Sequence, residues 1–539
     1  MAASEVPAQS HRKVIIASSL GTVFEWYDFY LYGLLATIIS AQFFSGVNDT
    51  TAFILALGAF AAGFAVRPFG ALVFGRVGDL VGRKYTFLVT MGLMGLSTFA
   101  VGLLPSYASI GVAAPLMLVG LRLMQGLALG GEYGGAAIYV AEHAPEGRRG
   151  LYTSFIQTTA TLGLFAALLV VIGLRTWMGE EAFADWGWRL PFLLSSLLLA
   201  ISIWIRLQLS ESPVFQQMKE EGETSKAPLS EAFGRWANLK WVLVALLGAV
   251  AGQAVVWYTG QFYALFYLEK ILKVDGGTAN ILIAIALVIG TPFFVFFGWL
   301  SDRVGRKPII MSGLALAALL YFPLFAALTN AANPALAEAQ KRAPVTVTAD
   351  TGSCSFQFDP IGKQTFDTTT CDFVKSALAK SGVPYASHEM YDMFGGTLVG
   401  IGNEEFDVRS KDDLPRLQAA IAEAGYPAKA DPAQINKPMV VAILTALVLL
   451  VTMVYGPIAA LLVELFSARI RYTAMSLPYH IGNGWFGGFL PTIAFAMVAA
   501  TGDIYAGLWY PVGVAVLTLI VGLLFLPETY RRTIGHRES

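Results

Sequence analysis

Gly75–Lys84 reads GRVGDLVGRK, and Gly298–Lys307 reads GWLSDRVGRK. Asp79 aligns with Asp302, Gly82 with Gly305 and Arg83 with Arg306, each a step of 223 residues. A second pair follows. Glu142 and Arg149 align with Glu464 and Arg471, a step of 322. The two steps differ by 99 residues, so the second half repeats the first and carries an insertion of that size between the two motifs.

The rest of the chain says where such a repeat sits. Of 539 residues, 56% are hydrophobic and 14% charged, and the mean hydropathy is +0.61. A soluble domain carries about 25% charged residues. A net charge of −1 leaves no basic footprint for nucleic acid. The lipid bilayer is the expected partner. The apolar runs are continuous rather than alternating, which excludes a membrane barrel. They lie near residues 14–42, 52–75, 85–104, 111–141, 151–174, 190–208, 240–269, 278–299, 308–329, 438–463, 472–498 and 504–526, and each is long enough to span. Glu25 and Asp28 interrupt the first run, which the apolar core of a signal peptide would not tolerate, so it reads as span one. The expected fold is all-α: twelve membrane helices in two six-helix bundles.

Lys and Arg cluster at one set of ends, at Arg12, Lys13, Arg83, Lys84, Arg148, Arg149, Arg303, Arg306, Lys307, Arg469, Arg471, Arg531 and Arg532. The short loops 44–51, 105–110 and 499–503 carry none. Basic ends face the cytoplasm, so both termini are expected inside. The expected units are a first bundle over 1–208, a cytoplasmic linker over 209–239, helices seven to nine over 240–329, an extracytoplasmic (periplasmic) lobe over 330–437, and helices ten to twelve with a short tail over 438–539. In the lobe, VTVTAD (345–350) and CSFQFDP (354–360) read as strands. CDFVKSALAKSG (371–382) and KDDLPRLQAAIAEAG (411–425) read as amphipathic helices, the second capped by Ser410. Cys354 and Cys371 lie on the oxidising side, which favours a disulfide. The lobe has no metal-ligand spacing and no phosphate loop, so an enzyme is not expected.

The two G-x-x-x-D-x-x-G-R-K segments resemble the loop signature of the major facilitator superfamily. EWYDFYLYG (25–33), RPFGALVFGRVGDLVGRK (67–84), RLMQGLALGGEYGGA (122–136), EHAPEGRRG (142–150) and ESPVF (211–215) resemble, more narrowly, the metabolite:proton symporter family. That family includes permeases for shikimate, 2-oxoglutarate, citrate and proline/betaine. The resemblance covers both bundles but not the lobe. It implies a bacterial inner-membrane importer driven by the proton gradient; a monomer that needs no cofactor is expected.

A charge at mid-bilayer costs about 2.5–3.5 kcal/mol or more, so each needs a reason. The first half has Glu25, Asp28, Arg67, Arg122 and Glu132. At about 1.5 Å per residue, Glu25, Arg67 and Glu132 fall at similar depth, and Asp28 and Arg122 straddle the centre. A carboxylate beside an arginine pins it, and protonation frees the guanidinium for substrate. Similarity to proton-coupled members of the superfamily makes Asp28 and Arg122 that pair, with Glu25 and Glu132 as further proton-coupling candidates and Arg67 in the charge network. The alternative is that these charges only hold spans one, two and four together.

Tyr27, Tyr32, Gln125, Tyr133 and Gln157 are expected to join Arg122 in binding substrate. Trp257, Tyr258, Gln261, Tyr479 and Asn483 face them from a second half without central charge. His480, within span eleven, reads as a packing residue. Arg122 can hold a carboxylate through its fork, so the expected substrate is a small organic acid, mono- or dicarboxylic, with cyclic and aromatic acids included. Proline or betaine is the alternative, as is a transporter-like sensor signalling through the lobe. Osmosensing relatives carry a long C-terminal coiled coil, and here few residues follow Pro527. Antiporters of the superfamily carry a Gly-Pro motif in span five, and no proline lies between Pro145 and Pro191. Asp79, Arg83, Glu142 and Arg149, with Asp302, Arg306, Glu464 and Arg471, are expected to latch the cytoplasmic rim by ion pairs between halves, with Gly78 and Gly82 permitting the turn.

Overall fold

The computed structural model describes residues 11–45, 49–207, 211–350, 352, 354–355, 368–390 and 396–534. Twelve long helical spans account for most of it. In the first half they are His11–Leu34 continued by Ala36–Phe43, then Asp49–Leu80, Arg83–Leu103, Ala113–His143, Arg149–Met178 and Arg189–Leu207. In the second half they are Trp236–Ile271, Gly276–Val304, Arg306–Ala332, Lys437–Leu465, Arg471–Val498 and Ala506–Phe525. Spans 3 to 12 are long and apolar enough to cross a membrane. Spans 1 and 2, which carry Glu25, Asp28 and Arg67, complete the two bundles of six.

Local chemistry sets the ends. Asp275 caps span 8, its carboxylate accepting the Thr278 N–H at 3.0 Å. Asn436 caps span 10 through the Met439 N–H. Prolines 68, 292, 323 and 478 lie inside spans, where neighbouring helices support the interrupted backbone. Span 7 departs from the continuous helix that its apolar run suggested. Wider π-helical turns occupy Leu246–Val250, Thr259–Tyr263 and Tyr267–Ile271. Span 11 has one at Gly482–Gly487. Between the bundles the linker forms two short helices, Pro213–Glu220 and Pro228–Phe233.

The inserted lobe is α/β. Its strands are β1 (Val345–Asp350), β2 (Tyr385–Met390), β3 (Thr397–Ile401) and β4 (Glu404–Val408), ordered β2-β1-β3-β4. β1 and β2 run parallel across helix Thr370–Ser381, and the other pairs are antiparallel. Alternate residues Val345, Val347, Val399 and Ile401 bury one sheet face. Of the two expected strands, 345–350 is β1. In CSFQFDP, Cys354 and Ser355 are not in a strand, and 356–360 lie outside the described residues. Both expected helices form, and Ser410 makes a capping box with Asp413. Strands β2 to β4 were not read from the sequence. Cys354 and Cys371 form a disulfide.

The lobe sits on the second bundle. The Tyr385 N–H donates to the Gly502 carbonyl between spans 11 and 12, and the Ala430 N–H to the Lys273 carbonyl just past span 7. The end of span 7 carrying Lys273 is therefore called the lobe rim. The opposite end, carrying the repeated loops, is the basic rim.

Candidate functional site: a charge core between two closed rims

At the basic rim the halves meet in a symmetric set of contacts. Asp79, ending span 2, accepts the N–H groups of Tyr472 and Thr473 at 3.2 and 2.8 Å, at the start of span 11. Asp302, ending span 8, accepts those of Gly150 and Leu151, both at 2.8 Å, at the start of span 5. Each carboxylate thus docks on a helix N-terminus of the other half, where unpaired N–H groups and the helix dipole favour negative charge. Two ion pairs also cross: Arg471 to Glu142 at 2.6 Å and Arg149 to Glu464 at 3.6 Å. Arg83 holds Asp79 at 3.3 Å, and Arg306 holds Asp302 at 2.7 Å and Glu464 at 3.0 Å, all within one half.

Ion pairs between the halves are thus made by Glu142 and Glu464, and the expectation is corrected at the two aspartates. Asp79 and Asp302 bind backbone across the halves, not arginine, because a helix start offers two parallel donors to the two carboxylate oxygens. Gly78 is also reassigned. It lies within span 2, and a Cβ there would run into the Tyr472 ring, so it permits close approach rather than a turn. Gly82 and Gly305 do need their glycine. Their φ values are +138° and +107°, and a Cβ on either would meet the carboxylate of Glu211 or Glu528.

Those two glutamates were not recognised as rim residues. Glu211 accepts the N–H groups of Arg83 and Lys84 at 3.1 Å. Glu528 does the same for Arg306 and Lys307 at 2.9 and 3.1 Å. The following hydroxyls repeat too: Ser212 donates to Glu142, and Thr529 to Glu464. The signal was Glu-Ser after span 6 and Glu-Thr after span 12, too short a match to notice alone.

Deeper in, the first half gathers its charges. Arg122 lies 3.2 Å from Asp28, both buried, and over the Tyr32 ring at 4.1 Å. Gln125 donates to Asp28 at 3.4 Å and to Thr98 at 2.8 Å. Arg67 rests on the Phe64 ring at 4.4 Å. Glu25 is buried, and the charges acting on it are Arg67 and Asp28. Glu132 is fully buried with neither oxygen hydrogen-bonded among the described residues. Its neighbouring charges are Glu25, Arg67 and Arg206. Arg206 was not anticipated, because it stands at the last turn of span 6 and looked like a rim residue. It is buried, with its guanidinium on the Phe87 ring.

Tyr27 does not join the substrate face. Its hydroxyl donates to the Pro191 carbonyl at 2.8 Å, inside the first bundle. Tyr133 does reach the other half: it stacks on Tyr479 with centroids 3.7 Å apart and accepts from Gln157 at 2.8 Å. Tyr479 and Tyr455 share a 2.6 Å hydroxyl contact. Asn483 pairs with Gln253 at 3.3 Å within the second half.

Toward the lobe rim the closure is aromatic. Trp26 meets Trp257 at 5.0 Å, and Phe29 and Tyr30 meet Phe262 at 5.1 and 5.8 Å. Phe64 meets Tyr258, and the Tyr30 hydroxyl donates to Gln261 at 3.4 Å. The centre is correspondingly small. The cavity lined by Asp28, Arg67, Arg122 and Gln125 is about 20 Å³, room for one water rather than a metabolite. A substrate requires one rim to open.

Known proteins place this architecture. The model of the "Sugar (and other) transporter" family matches residues 13–349 and 419–538, leaving out most of the lobe. The proline/betaine transporter of Salmonella typhimurium is 39% identical over 316 residues, 57% of this chain and 63% of that protein. The alpha-ketoglutarate permease of Escherichia coli is 36% identical over 322 residues, 59% of this chain and 72% of that protein. The chain thus spans a little under two thirds of the first of these relatives. Among solved structures, the proton:xylose symporter XylE bound to 6-bromo-6-deoxy-D-glucose has a TM-score of 0.65 at 15% identity, covering 97% of both chains.

Proposed function

The chain belongs to the sugar (and other) transporter family, a family of transporters rather than enzymes, and from that premise we propose that it imports a small carboxylate-bearing metabolite with protons by alternating access. The observation that carries this reading is the buried Asp28–Arg122 pair at 3.2 Å, inside a protein closed at both rims. Protonating Asp28 removes the charge that pins the guanidinium. Arg122 then turns its fork to a substrate carboxylate. The proton and the anion cross together because neither half of the pair is left as a lone buried charge.

The basic rim faces the cytoplasm and the lobe faces outward, following the distribution of Lys and Arg. The basic-rim docking of Asp79 and Asp302 holds the inside shut. The protein works as a monomer in the inner membrane, and its energy source is the proton gradient. Proline/betaine and alpha-ketoglutarate are the cargoes named for relatives. A zwitterion is the second reading. The rings of Trp26, Trp257 and Phe262 meet where span 7 packs on span 1, the span that carries Glu25 and Asp28, and aromatic faces also suit a substrate cation.

The test is Asp28→Asn in proteoliposomes. Uphill uptake driven by a pH gradient is lost, while exchange of labelled for unlabelled substrate across the membrane continues. Uphill accumulation by the Asn variant would remove Asp28 from coupling.

A further inference from the structure

We propose that protons leave the charge core on one side of the basic rim only, through Glu132, and that Tyr472 of the other half is the stopper on that path, a positioning residue whose withdrawal exposes the acid as the rim opens. This rests on the proton coupling described above and extends it to the exit.

The repeat shows where the two sides of the rim differ. At the step of 322 residues, Tyr472 stands where the first half has Gly150. Gly131, Glu132, Gly134 and Gly135 stand where the second half has Met453, Val454, Gly456 and Pro457. On the Asp302 side, a Cβ at Gly150 would run into the Gly298 carbonyl and the Ser301 hydroxyl, so span 5 starts against span 8 with no space for a side chain. On the Asp79 side a whole phenol is inserted. The docking of a carboxylate on a helix start is therefore duplicated, whereas the tyrosine, its pocket and the acid are not.

The pocket is built of glycine. Tyr472 is fully buried, and its hydroxyl donates to the Gly131 carbonyl at 2.5 Å. A Cβ at Gly78 of span 2 would run into its ring, one at Gly135 of span 4 into its hydroxyl, and one at Gly134 would touch the ring at 3.5 Å. Glycine alone leaves that volume between the two helices. Seating is tied to the latch because one residue makes both contacts: the Tyr472 N–H is one of the two that Asp79 accepts, at 3.2 Å. The start of span 11 cannot leave Asp79 without drawing the ring from the pocket.

Behind the stopper stands Glu132, the residue after Gly131. It is fully buried, and neither oxygen is hydrogen-bonded among the described residues. A buried carboxylate without donors is costly, so the closed form holds Glu132 as the neutral acid. The charges acting on it are Glu25 of span 1, Arg67 of span 2 and Arg206 of span 6, and span 11 adds the Tyr472 phenol. Span 3 meets this stretch of span 4 with Thr90 and Phe87, which do not titrate. Phe87 also borders Gly135 and carries the Arg206 guanidinium, 3.1 Å from its ring centre. When the ring withdraws, the Gly131 carbonyl it gives up offers entering water an acceptor. Glu132 passes its proton to that water, the bonding pair stays on the carboxylate, and the hydronium leaves at the basic rim. Arg206 and Arg67 offset the charge left behind. The next proton comes from the span 1 acids, of which Glu25 is the one acting on Glu132.

The test uses the full chain in proteoliposomes enclosing a pH dye, under a pH gradient and without substrate. Tyr472→Ala keeps the N–H that Asp79 accepts and removes the stopper. It conducts protons about 100-fold faster than the wild type, and adding Glu132→Gln returns the leak to the wild-type level, the range by which one positioned acid speeds proton transfer. Tyr472→Phe keeps the ring and loses one hydrogen bond, so its leak stays within about 10-fold of the wild type. Spin-label distances across the basic rim verify that each variant still closes it, and Tyr472→Leu replaces Tyr472→Ala if the latter does not. The inference is overturned if the unplugged variant with a closed rim shows no leak, or if the leak survives Glu132→Gln. Either result with Asp28→Asn uncoupled refutes the exit path alone. A coupled Asp28→Asn refutes the reading beneath it.

Discussion

The two rims are closed by different chemistry. The basic rim is sealed by carboxylates on helix N-termini and by crossing ion pairs, each present twice through the repeat. Toward the lobe rim the seal is a stack of rings between spans 1 and 7, without a symmetric copy among the contacts that carry it. Directional, buried, charged contacts are made fully or not at all, so the basic rim is suited to act as a two-position latch. Aromatic contacts are individually weak and slide, which suits a gate that closes over a ligand. One π-helical turn of span 7, Thr259–Tyr263, carries Phe262 of that gate, and another, Tyr267–Ile271, follows it toward the lobe rim.

The largest way to break the comparison is at the latch. Asp79→Asn with Asp302→Asn leaves Arg83 and Arg306 buried with weakened partners, a loss of about 3 kcal/mol or more in the closed basic rim. The expected result is a roughly 100-fold population shift toward the form open at that rim, measured by spin-label distances across it. The pairs are buried, so raising salt should not mimic the effect. A salt-sensitive latch would mean that surface charges, not these aspartates, hold the rim.

Next comes the lobe, which rides on the aromatic side. Cys354→Ser with Cys371→Ser reopens a loop of 17 residues, which chain entropy values at about 3 kcal/mol of lobe stability. Lobe melting should fall while latch distances stay fixed. Movement of the latch would tie the two rims together. Trp257→Ala removes ring contacts with Trp26, Tyr258 and Phe262, about 2 kcal/mol from pairs worth roughly 0.5–1.5 kcal/mol each. Faster labelling of a cysteine beneath the gate is expected, with the basic rim unchanged.

The smallest effect is a pH dependence. Burial pushes Asp372 up, but the hydroxyl and N–H of Ser355 and the hydroxyls of Thr368 and Thr369 outweigh it and hold the carboxyl below its usual range. A depressed acid stabilises the fold above its unfolded value near 3.9 and loses that contribution as pH falls through the folded value. The lobe should therefore loosen below about pH 4, and Asp372→Asn should show a shallower acid limb in a melting series. An identical limb would assign the acid sensitivity elsewhere.

The fold was legible where physics repeats itself. Apolar runs located twelve spans, and the paired Asp-x-x-Gly-Arg segments gave two halves and an insertion. The buried charges stood out because membrane charges are costly, which brought Asp28 and Arg122 forward before they were seen 3.2 Å apart. What escaped depended on orientation and backbone. Tyr27 and Tyr133 look alike in sequence, yet one faces inward and the other meets Tyr479. No side-chain pattern announces that Asp79 will bind two N–H groups, because every residue offers one. Glu211 and Glu528 became visible only when the glycines they press against were in place. The lobe strands β2 and β4 are largely exposed and polar, so they lack the alternation that marked β1.

The central claim is that proton occupancy of the span 1 acids sets which rim opens. Its most direct test is the distance distribution across the basic rim, by paired spin labels in lipid, at pH 5 and pH 8 with and without Asp28→Asn. The account predicts a pH-dependent exchange between closed and open populations in the wild type that disappears in the variant. Equal populations at both pH values in the wild type, or an unchanged pH response in the variant, would contradict it.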